Sequence, residues 1–202
     1  MKPDAQIIKD IDGNIYHTIT FGTQVWMREN LQTTRYNDGS VIPLATEQSA
    51  WYDLHAPGMC WYDNDEGVNR NVYGALYNWY ALDTGKLCPP GWHVPSDDEW
   101  AVLTECLGGE AIAGGKMKAS GPPAWLNQYP DAQKSSGFDA LPAGFRGKTG
   151  FIPASEVAAI FWSSTAFDND NAWTRYLQPD SIIAGREHGG KYHGFAIRCL
   201  KD

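Results

Sequence analysis

The stretch from Leu87 to Leu107, LCPPGWHVPSDDEWAVLTECL, constrains this chain more than any other. Pro89, Pro90 and Pro95 hold the backbone extended, because each ring fixes φ and restricts the residue before it. Ser96 then offers an N-cap oxygen, and Glu99, three residues on, completes a capping box. Asp97, Asp98 and Glu99 complement the positive end of the helix dipole. Trp100, Leu103 and Leu107 follow at helical spacing, and Gly108-Gly109 stops the run. The spacing predicts a helix over 97–107 with one apolar stripe facing inward.

At 202 residues the chain fits one domain spanning 1–202, and no linker, low-complexity tract or repeat divides it. Hydrophobic residues at 43% can build a sizeable core, while 21 Gly and 12 Pro call for many turns and little helix. Nine Trp and ten Tyr are many for this length: most fill a loop-rich core, and outer ones are candidates for a ligand platform. A net charge of −8 without a basic cluster excludes binding to nucleic-acid backbone. No apolar run approaches the roughly 20 residues of a membrane span. The opening MKPDAQIIKD lacks the apolar stretch of a signal peptide, so export implies a trimmed signal or another route, such as a phage particle.

Cys60, Cys88, Cys106 and Cys199 contain no CxxC pair, which argues against a zinc or thioredoxin-type site. Four cysteines allow three pairings, and four reduced thiols are the alternative. A link between Cys88 and Cys199 would close about 110 residues, worth roughly 4 to 5 kcal/mol in the chain-entropy account.

Asn14 to Phe21 alternates Ile15, His17, Ile19 and Phe21 against Tyr16, Thr18 and Thr20, which predicts a strand; Val25-Trp26-Met27 returns it as a hairpin. Tyr73 to Leu82 carries Leu76, Tyr77, Tyr80 and Ala81 at helical spacing, predicting a first short helix ahead of the one over 97–107. Gly114 to Gly150 reads as long loops with short strands. The last residues predict strands over 159–165, 172–177 and 193–200, with 166–171 and 178–192 as surface connections. Ile15 and Ile19 at one end and Phe195 and Ile197 at the other are the apolar positions that would bring the terminal strands together.

Asp10-x-Asp12-Gly13-Asn14 looks like the start of a calcium loop, but its twelfth position is Phe21 rather than a glutamate, so a turn is expected. The clusters Asp63 to Glu66 and Asp168 to Asn171 have the composition of surface turns. No GxSxG, HExxH or matched acid–base pair is present. These readings point to a protein without catalytic residues, metal or cofactor.

The phrases DIDGNIYHTITFGTQVWMRENLQTTRYNDGS, CWYDND, YGALYNWYAL, LCPPGWHVPSDDEWAVLTECLGG, AGGKMKAS, SGFDALPAGFR, FWSST and GFAIRCLKD resemble the Fibrobacter succinogenes major paralogous domain family, from about Asp10 to Asp202. The resemblance implies an α+β, C-type-lectin-like fold with two short helices, small antiparallel sheets and long loops. It also implies a disulfide between Cys88 and Cys199, where the family's cysteines match, and a surface or secreted protein, often a lipoprotein. GWHVPSDDEW is similar to the matching stretch of formylglycine-generating sulfatase modifiers, which makes a related enzyme the alternative reading. Those enzymes use a cysteine pair near the C-terminus, where this chain has Cys199 alone. Gln178-Pro179-Asp180 resembles the calcium-dependent triplet of galactose-type C-type lectins, without the downstream Trp-Asn-Asp.

The order FWSST, AWTRYL, GFAIRC with variable stretches between is similar to the variable region of proteins diversified by retroelements. That resemblance makes Phe161, Trp162, Trp173, Leu177, Phe195 and Ile197 a fixed scaffold. It makes Asp168, Asn169, Asp170, Asn171, Arg175, Tyr176, Ser181, Ile183, Arg186, His188, Lys191 and His193 a display surface. Arg and Tyr dominate binding hot spots, so Arg175, Tyr176, Arg186 and Tyr192 are the expected strongest contacts. The expected function is non-enzymatic recognition of a protein or glycan on a cell surface.

Overall fold

The computed structural model describes residues 6–52, 54–119, 136–153 and 159–202. In chain order these form β1 (Ile7–Lys9), β2 (Ile15–Phe21), β3 (Gln24–Met27), α1 (Gln48–Tyr52), β4 (Met59–Trp61), α2 (Glu66–Tyr73), β5 (Ala75–Tyr77) and α3 (Trp79–Leu82). There follow β6 (Trp92–His93), α4 (Asp97–Cys106), α5 (Glu110–Met117), β7 (Phe145–Gly147), β8 (Gly150–Ile152), β9 (Ala159–Ala166), β10 (Asn171–Leu177), β11 (Gly185–Gly190) and β12 (Leu200–Lys201). The architecture is mixed α+β. A five-stranded antiparallel sheet runs β1-β2-β3-β12-β6, a three-stranded one runs β11-β10-β9, and β4-β5 and β7-β8 are two-stranded.

The capped helix forms as its residues dictate. Ser96 Oγ accepts from the Glu99 amide and Glu99 Oε2 accepts from the Ser96 amide at 2.7 Å, closing the capping box. Trp100 is fully buried, 4.7 Å in ring centroids from Trp26 and 5.6 Å from Phe161, and its Nε1 donates to the Trp162 carbonyl. A second core region gathers Tyr77, Trp79, Trp162, Phe195 and Ile197. β9 passes between the two, giving Phe161 to one and Trp162 to the other.

The chain ends are held together at β12. Leu200 pairs with Trp26 on β3 and with His93 on β6. Cys88 and Cys199 form a disulfide spanning 111 residues. His93 adds a polar clasp, Nδ1 to Asp202 Oδ1 at 2.6 Å and Nε2 to Glu99 Oε1 at 2.9 Å.

Several expectations are corrected. β2 turns Tyr16 and Thr18 inward and leaves Ile15 half exposed. The Tyr16 hydroxyl decides this: it donates to Asp10 Oδ2 at 2.6 Å and accepts from the Gln32 amide, a buried pairing that Ile15 cannot offer. The helix expected over 73–82 is instead the end of α2, strand β5 and the short α3. Gly74 breaks it at φ 73°, where a Cβ would lie 2.8 Å from the Leu31 carbonyl oxygen. Asn78 then caps α3 by accepting from the Ala81 amide. Where loops were expected from Gly114, α5 continues to Met117; the part of that expectation covering 120–135 lies outside the described residues. The strand expected over 193–200 is reduced to isolated bridges at Gly194, Phe195 and Ala196 followed by β12. The third strand of the C-terminal sheet is β11, inside the stretch expected to be a connection. Five α-helices, rather than two, occur among the described residues.

Asp10 Oδ1 accepts from the Asp12 and Asn14 amides, so the Asp10–Asn14 segment is a turn. Asp65 caps α2 through the Val68 amide.

Candidate functional site

The turn between β9 and β10 is organised by Asp168, whose Oδ1 accepts from the amides of Asp170 (2.9 Å) and Asn171 (2.7 Å) and from the Asn171 amide side chain. Beneath it, Lys191 Nζ donates to the carbonyls of Asp168 (2.9 Å) and Asn169 (3.0 Å) and stands 4.4 Å from the Trp79 ring centroid. Lys191 is therefore buried support rather than a displayed contact, because its ammonium satisfies carbonyls that the turn leaves unpaired.

The register of β10 on β11 sets Trp173 opposite His188 and Arg175 opposite Arg186, on one face of the sheet. There the Phe167 and His188 rings stack in parallel, 4.3 Å apart and 1° from coplanar orientation. Trp173 meets Phe167 edge-on at 4.9 Å, and the Arg186 guanidinium lies 3.4 Å over the Trp173 ring. Phe167 is 46% exposed and Trp173 half-buried, so Trp173 is no hidden scaffold residue as the sequence had suggested. In the same turn as Phe167 are the exposed side chains of Asn169 and Asp170, which make no hydrogen bond among the described residues.

Asp97, the first residue of α4, holds this face to the core. Its carboxylate accepts from Arg186 Nε and Nη2 at 3.0 and 2.8 Å and from Arg175 Nη1 at 2.5 Å. Burial alone would raise the Asp97 pKa, but the hydrogen bonds from Arg186 and Arg175 outweigh it and hold it below the usual value. Arg175, at 4% exposure, is thus an internal ion-pair partner, which corrects its expected role as a leading surface contact. A small cavity of about 100 Å³ lies against this pair, walled by Thr104, Glu105 and Glu110 of α4 and α5.

The remaining expected contacts do not converge on that face. Tyr176 lies on the opposite side of the sheet, its ring over Gly185, where a Cβ would come within 2.1 Å of it. Ser181 and Ile183 belong to a loop at α5, where Gly114 allows the Ile183 carbonyl to pass at a distance no Cβ would tolerate. In that loop the carbonyls of Gln178, Pro179 and Ser181 all accept from Lys118 Nζ. Tyr192 and His193 pack together at 4.3 Å, with Lys148 4.6 Å from the Tyr192 ring. Burial, aided by Lys148, pushes His193 down to about 4, so it is neutral there. A larger cavity of about 170 Å³, between Arg28, Asn30, Asn71 and Arg198, touches none of the expected contacts.

Sequence reasoning therefore placed Asp168, Asn169, Asp170, Asn171, Arg186 and His188 near one another and missed Phe167, Trp173 and Asp97. A lone Phe opening a polar turn was the visible signal for Phe167. The pairing of Trp173 with His188 required β11, whose sequence GREHGG carries no apolar alternation. The model of the Fibrobacter succinogenes major domain matches residues 19–201. No curated protein and no solved structure matches the chain.

Proposed function

The chain belongs to the Fibrobacter succinogenes major domain family, and from that premise we propose that it is a non-enzymatic binding module. It recognises a protein or glycan at a cell surface through the outer face of β10 and β11 and the turn 167–171. The observation that carries this reading is the assembly of exposed Phe167, His188 and Arg186 around half-buried Trp173 on one face of the sheet. Half-exposed aromatics held rigid by packing lose little side-chain entropy on binding, while a neighbouring Arg and amides supply direction. A C-type-lectin-like architecture suits this role. The pairing of β12 with β3 and the disulfide anchor the C-terminal end of the segment that carries the face. Its loops can then change without loosening the core.

The same logic supports retroelement diversification of this segment. Asp168, Asn169, Asp170, Arg186 and His188 are exposed, whereas Phe161, Trp162, Leu177, Phe195 and Ile197 are buried. Arg175 and Lys191 leave the display set on the geometry above. The alternative of an enzyme related to sulfatase modifiers finds no support, since Cys199 is joined to Cys88. Cys60 is buried, which pushes its thiol up to about 11, although Arg146 opposes the shift. The test is a double variant, Trp173→Ala with His188→Ala, checked for fold by circular dichroism and screened on arrays of glycans and surface proteins. Loss of the wild-type signal in a folded variant supports the face; an unchanged signal moves the site elsewhere.

A further inference from the structure

We propose that the open face of the Phe167–His188 stack is a subsite for one ring of a neutral saccharide, bound without a divalent cation. The proposal deepens the binding-face reading and rests on it.

The shape of the apolar surface argues for a sugar. Phe167 is the large exposed hydrophobic side chain of this face; Ile182 and Ile183, the nearest in sequence, belong to the loop at α5. A protein partner needs roughly 800 Å² per side with an apolar centre, which one exposed apolar ring beside an imidazole and a half-buried Trp173 in a polar rim does not offer. A pyranose needs the reverse, one flat apolar surface for its C–H face and polar groups around the perimeter for its hydroxyls. The side chains of Asn169 and Asp170, two and three residues beyond Phe167, are exposed and make no hydrogen bond among the described residues, so they can offer donors and acceptors. His188 fixes the plane of the Phe167 ring by stacking on its other side, and Trp173 supports both rings edge-on.

Charge selects a neutral ligand. Arg175 and Arg186 share Asp97, Lys191 is absorbed by two carbonyls, Asp168 and Glu187 lie near His188, and Asp170 stands in the same turn. Three cations thus stand against four carboxylates, and the only exposed cation among them already holds a carboxylate. Among the described residues, a sulfated or sialylated glycan would find no free cation at this face and would meet the carboxylates.

The route to metal independence is also in the turn. A hard cation draws on carbonyl and carboxylate oxygens. Here the Asp168 and Asn169 carbonyls accept from Lys191, and the Asp168 carboxylate accepts from the Asp170 amide and from the Asn171 amide and side chain. The ammonium fills the place that a bound ion would take in ordering such a turn.

The experiment is a printed array of neutral, sialylated and sulfated oligosaccharides, probed in EDTA, with affinity for the strongest binder followed by tryptophan fluorescence. Beside the full chain stand Phe167→Ala, Phe167→Tyr and Asn169→Ala. Phe167 is an exposed turn residue, so its replacement leaves the core intact, and circular dichroism verifies this. The expected result is binding to neutral glycans in EDTA. Phe167→Ala should weaken it at least about tenfold, as for loss of an aromatic stacking partner, while Phe167→Tyr retains it. Binding confined to acidic glycans, binding abolished by EDTA, or neutral-glycan binding indifferent to Phe167→Ala overturns the proposal. A blank glycan array beside Trp173-dependent binding on a surface-protein array overturns the saccharide and leaves the binding face standing. Blank results on both remove the two together.

Discussion

Replacing Asp97 by Ala tests the joint between core and face. The substitution strands Arg175, 4% exposed, whose Nη1 would keep only the Thr174 carbonyl and whose Nη2 would keep the Asp97 backbone carbonyl. Removing one partner of a buried ion pair costs about 3 to 5 kcal/mol, because the remaining charge stays out of water. The half-exposed Arg186 adds at most about 1 kcal/mol, since solvent screens it. The expected loss is therefore about 4 kcal/mol in urea unfolding followed by tryptophan fluorescence, with the denaturant slope unchanged. Arg175→Met removes the stranded charge while filling similar volume, so the double variant should be more stable than Asp97→Ala alone. A double-mutant cycle should give a coupling of about 1 to 3 kcal/mol. A loss below about 1 kcal/mol, or a coupling near zero, would refute the claim that Asp97 neutralises a buried arginine. The pH dependence follows the same sign. The Asp97 pKa is lowered on folding, so the stability it contributes is present above its ordinary value of 3.8 and lost as pH falls below it.

Replacing Cys88 and Cys199 together by Ser should cost about 4.8 kcal/mol for a 111-residue separation, read as a shift in urea midpoint; a shift under about 1 kcal/mol refutes the staple. Trp100→Ala should cost about 3 to 5 kcal/mol by thermal or urea unfolding, since a fully buried ring amid Trp26, Phe138 and Phe161 leaves a cavity that α4 cannot close. For His93, burial opposes protonation, but the bonds to Asp202 and Glu99 prevail and raise its pKa above 6.5. The wild type should thus lose stability as pH rises through that raised value, and His93→Gln should flatten this alkaline arm. His193 has the opposite sign: its pKa falls to about 4, so the stability tied to its neutral form is lost as pH drops from 6.5 toward that value.

What the sequence made legible was whatever local chemistry decides. Helix α4 needs only Ser96, Glu99 and the spacing of Trp100 and Leu103, all within eight residues. The segment 73–82 misled because Ala75, Leu76 and Tyr77 are buried together, so neither a period of two nor one of 3.6 distinguishes a strand from a helix there. Gly74 carried the deciding information, and its meaning depends on Asn30 and Leu31, more than forty positions away in the chain. The first half of β2 was assigned the wrong inward face for a similar reason, whereas Phe21 and, in part, Ile19 do pack inward. Tyr16 outcompetes Ile15 for the interior only because Asp10 and the Gln32 amide wait there. In the candidate site, exposed turn residues were readable from composition, while Arg175 looked identical to a surface arginine. Its partner, Asp97, stands 78 residues earlier, where it reads as an ordinary first-turn acid.

That double duty of Asp97 bears on how the face could tolerate change. As a first-turn acid it complements the α4 dipole, and as a ligand of Arg175 and Arg186 it ties the helix to neighbouring strands of the C-terminal sheet. The tie reaches β10 on that same face, through an arginine side chain that is almost wholly buried. Lys191 and Lys118 do the same for the two loops that flank the sheet, each gripping backbone carbonyls rather than side chains. Backbone carbonyls remain whatever residue occupies the position. Substitutions at Asn169, Asp170 or Asp180 therefore leave these grips in place, whereas a substitution at Lys191 or Lys118 would release a whole loop. Tolerance on this surface is consequently uneven. Freedom lies at exposed side chains, and constraint lies in the cations that grip the structure beneath them, Arg175 and Lys191 buried and Lys118 partly so.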